Sequence, residues 1–469
     1  MDVPSFEFLA FAALAAALIN ISSAAWWRRA VLLAANVGFV LTFTHDPGRL
    51  APFMGLLALG YAGLKLMERY KSRLVFVALL ASLIFIFCLF KRYTFIPHEL
   101  FLSSVYFMVG MSYVFFRVLH LVIDAYQEAL PERVGLLSYV NYTLNFTSLV
   151  SGPIQMYPDY RRTESLQPAA LNQATAARAI ERIIVGFFKV TIVSPVLFYV
   201  HTRAVALAAQ PLSAPQQAVD GGLLLLIFPI YIYFNFSGYM DFVIGVARFL
   251  RIELPENFDR PFISQDFIEF WSRWNITLSN WLKTYVYSPL LLSLMRRFPS
   301  PQVEPYLGVF SYFVTFFLIG LWHGSTSMFI MYGVLLGLGV SMNKLYQIVM
   351  TARLGRARYQ ALRSRQAYAA LARGLTFLWF GFSMLWFWAT WDQLRNLASS
   401  IGPIGIAGAF LTALVIAAAV STVLKAGQEW LQGASPYLRT AWCTALGVIV
   451  ISVAVVFNAP AAHIVYKAF

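Results

Sequence analysis

Two short stretches of this sequence carry the residue types that acid–base chemistry needs. The first, Phe270-Trp271-Ser272-Arg273-Trp274-Asn275-Ile276-Thr277-Leu278-Ser279, packs an amide, hydroxyls and indoles together. The second lies 48 residues beyond Asn275 and sets one histidine in apolar sequence: Phe317-Leu318-Ile319-Gly320-Leu321-Trp322-His323-Gly324-Ser325. A titratable ring at membrane depth is costly and by default marks a functional site. A neutral imidazole can take a proton from a hydroxyl, and its ordinary pKa suits general-base work near neutral pH. An asparagine supplies a donor and an acceptor without buried charge, suited to a developing oxyanion or to orienting a carbonyl. The pair points to direct transfer from an activated donor to a hydroxyl, with His323 as base. On the residues alone, an imidazole that only bonds a neighbouring helix carbonyl accounts for His323 equally well.

A covalent route lacks its parts. The sequence has no GxSxG elbow, and Ser279 and Ser325 are nucleophiles by type only, with no evident paired base. Cys88 and Cys443 lie in apolar runs, where free cysteines behave as small buried hydrophobes, and no metal-ligand spacing is visible.

The elements that must position these residues are membrane helices. The 469 residues are 59% hydrophobic, 16% aromatic and only 12% charged, with a mean hydropathy of +0.67. Soluble domains are about half apolar and a quarter charged, so this is a polytopic membrane protein. Apolar runs of helix length recur near 5–25, 30–46, 50–67, 74–91, 101–123, 136–155, 181–203, 219–250, 306–322, 325–348, 373–391, 403–424 and 440–458. At ~20 residues per span they predict about 11 to 13 transmembrane helices, and no alternating pattern supports a β-barrel. The stretch from Pro255 to Pro299 is instead amphipathic and polar, which predicts an interfacial or re-entrant segment lining a protein cavity. The first apolar run follows Asp2 and has no basic leader, so it reads as a first membrane helix.

The net charge of +14 falls largely in short loops, above all Arg353, Arg356, Arg358, Arg363, Arg365 and Arg373. That is the positive-inside pattern of cytoplasmic loops, with anionic membrane lipid as a natural contact, and it argues against nucleic acid. Asp124 and Asp241 are expected to cap or pair with arginine, and His120 to make an interhelical hydrogen bond. His45, His98, His201 and His463 fall at or near the ends of spans and are expected at the interface.

Taken together, the polar motifs resemble the membrane-bound O-acyltransferase family. The run from Phe270 through Asn280-Trp281-Leu282-Lys283-Thr284-Tyr285-Val286-Tyr287 is similar to the family signature, in the form carried by the bacterial alginate O-acetyltransferase and teichoic acid D-alanyl transferase branch. Gly320-Leu321-Trp322-His323-Gly324 resembles that branch's second signature, which holds the family's catalytic histidine. Ser151-Gly152-Pro153-Ile154 is similar to an "AGPI" segment, and Phe234-Asn235-Phe236-Ser237-Gly238-Tyr239-Met240-Asp241 to "FDFSGYSD", followed by Pro255 to Phe262. Four motifs in consistent order between about residues 108 and 340 make the resemblance specific. Two departures stand out: position 275 is usually histidine in that branch, and Lys283-Thr284 replaces the usual Arg-Asp. The resemblance therefore leaves His323 as the only proton acceptor of the pair.

The resemblance also implies an architecture and a reaction. The expected fold is an all-α polytopic membrane protein, 1–469 forming a single acyltransferase domain, as a ring-like bundle of spans and re-entrant helices around a central tunnel. Catalysis is expected at His323 and Asn275, with Trp274, Ser279, Trp322, Arg273, Lys283 and Tyr285 binding substrate and no metal. The donor thioester, acetyl-CoA or an acyl carrier protein, would enter from the cytoplasm as substrate, with no bound cofactor. Arg273, Lys283, Arg296 and Arg297 could attract it, or serve as interface anchors. The acceptor would be an exported polysaccharide or a periplasmic esterase-like partner, and the site the inner membrane of a bacterium. D-alanyl transfer from a carrier protein to an envelope polymer is the alternative within the class. A transporter or flippase would also use buried His and Asp, but should carry inverted repeats, which the sequence does not display. A scaffold keeping the fold without chemistry is the third reading, with Asn275 as its foothold.

Overall fold

The computed structural model describes every residue except 45, 103–108, 167, 209, 211–212, 433–434 and 458–469. The chain divides into two compact units. The first comprises Met1–Thr191, Asn235–Glu256 and Cys443–Phe469, and the second Ile192–Phe234 and Asn257–Trp442. The helices run Phe6–Ile19 (α1), Ala25–Leu41 (α2), Pro47–Arg69 (α3), Arg73–Phe90 (α4), Met111–Gln127 (α5), Leu136–Thr143 (α6), Tyr157–Arg161 (α7), Gln173–Phe188 (α8), Ser194–Ala208 (α9) and Ala214–Phe249 (α10). They continue as Phe267–Trp271 (α11), Ile276–Leu282 (α12), Ser288–Arg297 (α13), Glu304–His323 (α14), Ser327–Leu354 (α15), Arg356–Ser364 (α16), Gln366–Trp388 (α17), Trp391–Gln432 (α18) and Pro436–Phe457 (α19). Among the described residues the one departure from helix and loop is an isolated bridge between Phe258 and Trp274. The protein is thus an all-α, multi-pass membrane protein.

Eight helices among the described residues are long and apolar enough to cross a membrane, fewer than the hydropathy profile marks. Several apolar runs are spent otherwise. The run at 5–25 becomes a 14-residue helix, and 30–46 becomes a 17-residue one. The run at 136–155 is a short helix followed by irregular, buried backbone. Side chains from elsewhere in the first unit satisfy that backbone, as non-helical chain at membrane depth requires. The Arg117 guanidinium on α5, 1% exposed, donates to the Thr143 carbonyl at 3.0 Å and to the Ser148 carbonyl and hydroxyl at 2.7 Å. The Tyr239 hydroxyl accepts from the Ser151 amide at 3.2 Å, and the Gln155 amide donates to the Glu253 carbonyl at 2.7 Å.

The expected polar pairs of the first unit form. Asp241 receives Arg182 at 3.0 Å and Lys189 at 2.6 Å, and Arg182 also pairs with Glu256. His120 accepts the Tyr157 amide on Nε2 at 2.9 Å and meets Asp124 through Nδ1 at 3.2 Å. That pairing makes Nδ1 the protonated nitrogen of the ring. Asp124 pairs with His120 one turn before it on the same helix. Its apolar core is aromatic, with Phe8 against Phe39, Phe146 and Phe242.

In the second unit α14 and α15 form a hairpin turning at Gly324–Thr326, where the sequence places a break between two spans. The two helices touch backbone to backbone at Gly320 and Gly333: a Cβ on Gly320 would lie 2.4 Å from the Gly333 Cα. The predicted polar segment, 255–299, is not a span. It folds as α11, α12 and α13 joined by tight turns, the last two through a π-helical turn at Lys283–Tyr287. Cys88 and Cys443 are half-buried, more open than expected. His98 is exposed in a short 3-10 turn, as an interfacial residue should be. His201 differs: it is 5% exposed within α9, its ring 4.5 Å from that of Trp388 and 5.0 Å from that of Phe228. Rings from α10 and α17 bury it. His45 and His463 lie outside the described residues.

Candidate active site

His323 is the last residue of α14 and is 5% exposed. Four rings surround it: Trp322 at 4.5 Å, Phe387 at 4.9 Å, Tyr332 at 5.8 Å and Phe329 at 6.2 Å. Such a setting leaves the imidazole nearly closed to water. Ending the helix at His323 follows from Gly324-Ser325 and from Thr326 opening α15.

A cavity of about 150 Å³ lies between the polar segment and α14. From the segment it takes Trp271, Ser272, Ser279, Asn280 and Lys283; from α14 it takes Tyr312, Thr315, Phe316 and Ile319. Thr315, Ile319 and His323 are successive i, i+4 neighbours, so they share one face of α14. The cavity-lining face of α14 therefore leads to the imidazole one turn beyond Ile319. Its lining is mixed: the hydroxyls of Ser272, Ser279, Tyr312 and Thr315, the Asn280 amide and Lys283 alternate with rings and aliphatic carbons on both walls.

Asn275 begins α12 with left-handed backbone, φ 46 and ψ 53, a conformation asparagine tolerates better than most residues. It is 3% exposed, and its Oδ1 accepts from Asn257 Nδ2 at 3.1 Å. Asn257 is the hub of this turn. Its own Oδ1 accepts from the Thr277 amide at 3.0 Å and hydroxyl at 2.9 Å, and its carbonyl accepts from the Ile276 amide at 3.0 Å. With Oδ1 engaged, Asn275 keeps its Nδ2 donors for another acceptor.

Among the described residues no hydrogen bond joins Asn275 to His323. They share a wall. The Trp274 ring lies 4.8 Å from Phe380 of α17 and His323 lies 4.9 Å from Phe387 of the same helix. Phe380 and Phe387 are two turns apart, roughly 10 Å along the axis.

The other sequence-predicted residues divide. Ser279 and Lys283 line the cavity. Trp322 touches His323 directly. Trp274 sits in an aromatic cluster with Phe258, Phe270 and Phe380, buried beneath the turn that holds Asn275. Tyr285 packs on Trp281 at 4.9 Å. Arg273 is held by Asp259 and Glu269, each at 3.1 Å, and does not line the cavity. Sequence reasoning missed Asn257, Tyr312, Thr315 and Ile319. The α14 trio was readable from helical spacing upstream of His323, whereas Asn257 offered no local signal beyond its place in a motif.

Comparison with known proteins identifies the family. The membrane-bound O-acyltransferase family (MBOAT) matches residues 53–385, well over half of the chain. The chain belongs to that family, whose chemistry is acyl transfer. It is 29% identical to the teichoic acid D-alanyltransferase of Bacillus subtilis (strain 168) over 292 residues, 59% of this chain and 69% of that protein. It is 30% identical over 243 residues to a probable alginate O-acetylase, AlgI, of Pseudomonas syringae pv. tomato, 52% of this chain and 44% of that one. It is also 30% identical over 215 residues to the peptidoglycan O-acetyltransferase of Helicobacter pylori, 45% of this chain and 38% of that protein. The matched part is thus less than half the length of the last two relatives.

Proposed function

We propose that this protein transfers a short acyl group, acetyl foremost, from a cytoplasmic thioester to a hydroxyl of an exported polysaccharide or of a periplasmic partner. The whole chain serves as one acyltransferase domain in the inner membrane of a bacterium. The observation that carries the reading is the continuity between the cavity and His323 along one face of α14.

His323 takes the proton of the acceptor hydroxyl as its oxygen attacks the thioester carbonyl carbon. The carbon–sulfur bond then breaks, and the proton passes from the imidazolium to the leaving thiolate. Asn275 lies one turn before Ser279, which lines the cavity, and its Nδ2 donors suit the carbonyl oxygen as charge builds on it. With asparagine at 275, proton transfer rests on one imidazole. Lys283 at the cavity wall suits the anionic donor, either coenzyme A or an acidic carrier protein.

D-alanyl transfer is the second reading, and the similarity to a teichoic acid D-alanyltransferase favours keeping it. The test is turnover by purified protein in liposomes, supplied separately with labelled acetyl-CoA and with D-alanyl carrier protein. His323→Ala should lose about 10²- to 10⁴-fold in rate while remaining folded. Wild-type turnover by that variant would sink the mechanism, and the donor consumed separates the two readings.

A further inference from the structure

The cavity beside α14 holds a polar group that the proposed chemistry does not use. Trp271, on α11, lines the cavity and is 4% exposed. Its indole Nε1–H is buried and finds no hydrogen-bond partner among the described residues. The other polar groups of the lining are provided for. The Ser272 and Thr315 hydroxyls each donate to a backbone carbonyl at 2.7 Å, and the Ser279 hydroxyl donates to the Trp274 carbonyl at 3.4 Å. Tyr287 and Tyr312 bond to each other, and Asn280 and Lys283 are exposed to water. Packing against Phe316 at 5.1 Å and Phe380 at 6.2 Å asks for a ring at position 271, not for a ring nitrogen. A buried donor left unmade is costly, so an unspent one at a cavity wall calls for an acceptor on a ligand.

The surroundings and the depth select that acceptor. Rings flank the indole, and the basic group of the lining, Lys283, is exposed, so a charged acceptor at Trp271 would be buried without a counter-ion. A neutral carbonyl suits the position. Two helices measure its distance from the chemistry. Trp271 packs on Phe316 of α14, and His323 follows Phe316 by seven residues. Trp271 also packs on Phe380 of α17, and Phe387, which touches His323, follows Phe380 by seven. Each interval is two turns, about 10 Å along the axis. The carbonyl that meets Trp271 is therefore not the reacting one but one that trails it by that length. In a phosphopantetheine thioester the second amide carbonyl trails the thioester carbon by about nine bonds, roughly 10 Å when extended. The first amide, about five bonds or ~6 Å behind, falls short.

We propose that Trp271 is a donor-binding residue, its indole N–H bonded to the second amide carbonyl of a phosphopantetheine arm whose thioester reaches His323. This rests on the thioester-transfer reading. Coenzyme A and a carrier protein present the same arm, so the contact serves either donor and Trp271 does not select between them.

Binding of phosphopantetheine would be measured by calorimetry on full-length protein in nanodiscs. Turnover would be compared for long donors (S-acetyl-pantetheine, acetyl-CoA and acetyl carrier protein) and for S-acetyl-N-acetylcysteamine, which keeps only the first amide. Trp271→Phe should weaken phosphopantetheine binding and raise KM for the long donors about 5- to 30-fold, with kcat near wild type and the short donor unaffected. A benzothiophene isostere of the indole, introduced at position 271 alone, removes the N–H and keeps the shape of the ring. It should reproduce the loss, and it covers the case in which phenylalanine disturbs the fold. Equal affinity of wild type and isostere for phosphopantetheine would overturn the proposal, as would equal losses with long and short donors. A loss confined to acetyl-CoA or to the carrier protein would overturn it too, since the contact lies in the arm they share. Binding of phosphopantetheine that depends on Trp271, without turnover of any thioester, would instead sink the acyl-transfer reading and leave the contact standing.

Discussion

Gly320→Ala tests whether the position of His323 is set by the close approach of α14 and α15. The new Cβ would lie 2.4 Å from both the Cα and N of Gly333 and 2.5 Å from the Phe329 carbonyl oxygen. All three are backbone atoms, so no side chain can rotate aside. Ordinary contact begins at 3.4 Å, which requires the two helices to separate by about 1 Å. His323 lies three residues beyond Gly320, under one turn away, so the shift reaches the imidazole nearly undiminished. A misplacement of that size in a positioned catalytic group costs about 10²-fold in rate, and the overpacking costs about 1–3 kcal/mol in stability. Gly308→Ala is the control on the same helix, because its Cβ would have Tyr287 Oη at 3.5 Å as nearest neighbour. Initial rates of acyl transfer in liposomes, taken well below the melting temperature of each variant, separate displacement from unfolding. If Gly320→Ala turned over within about threefold of wild type, or Gly308→Ala fell equally far, the helix approach would not be what places His323.

Asn257→Ala removes three buried hydrogen bonds, to Asn275 and to the amide and hydroxyl of Thr277, and should cost about 2–4 kcal/mol against denaturant; Asn257→Asp keeps the two bonds to Thr277 and should recover most of the loss. A loss under about 0.5 kcal/mol in the alanine variant would refute the hub role of Asn257. Lys283→Gln should raise KM for an anionic thioester about two- to fivefold, leave kcat unchanged and flatten the salt dependence of kcat/KM; an unchanged KM at low salt would remove Lys283 from the donor path.

The sequence made some parts of this molecule legible and hid others, and the division follows the range of the interactions. The α14–α15 hairpin was readable because two uninterrupted apolar runs flank Gly324-Ser325, and nothing beyond the immediate neighbours is needed to end one helix and start the next. The run at 136–155 misled because apolar residues at spanning length normally make a helix, the only local way to satisfy backbone in lipid. Here Arg117 and Tyr239 satisfy irregular backbone from 26 to 88 residues away, and no window of sequence contains that information. The polar segment divided along the same line. Its departure from uniform hydrophobicity announced a cavity wall, yet which side chains face the cavity depends on the αL turn at Asn275, which Asn257 holds from 18 residues upstream. Arg273 illustrates the consequence. By type and position it belonged with Lys283 as an attractor of anions, but its guanidinium is committed to Asp259 and Glu269 while Lys283 stays at the cavity wall. A cavity-facing cation in this segment is therefore one that the fold leaves without a carboxylate.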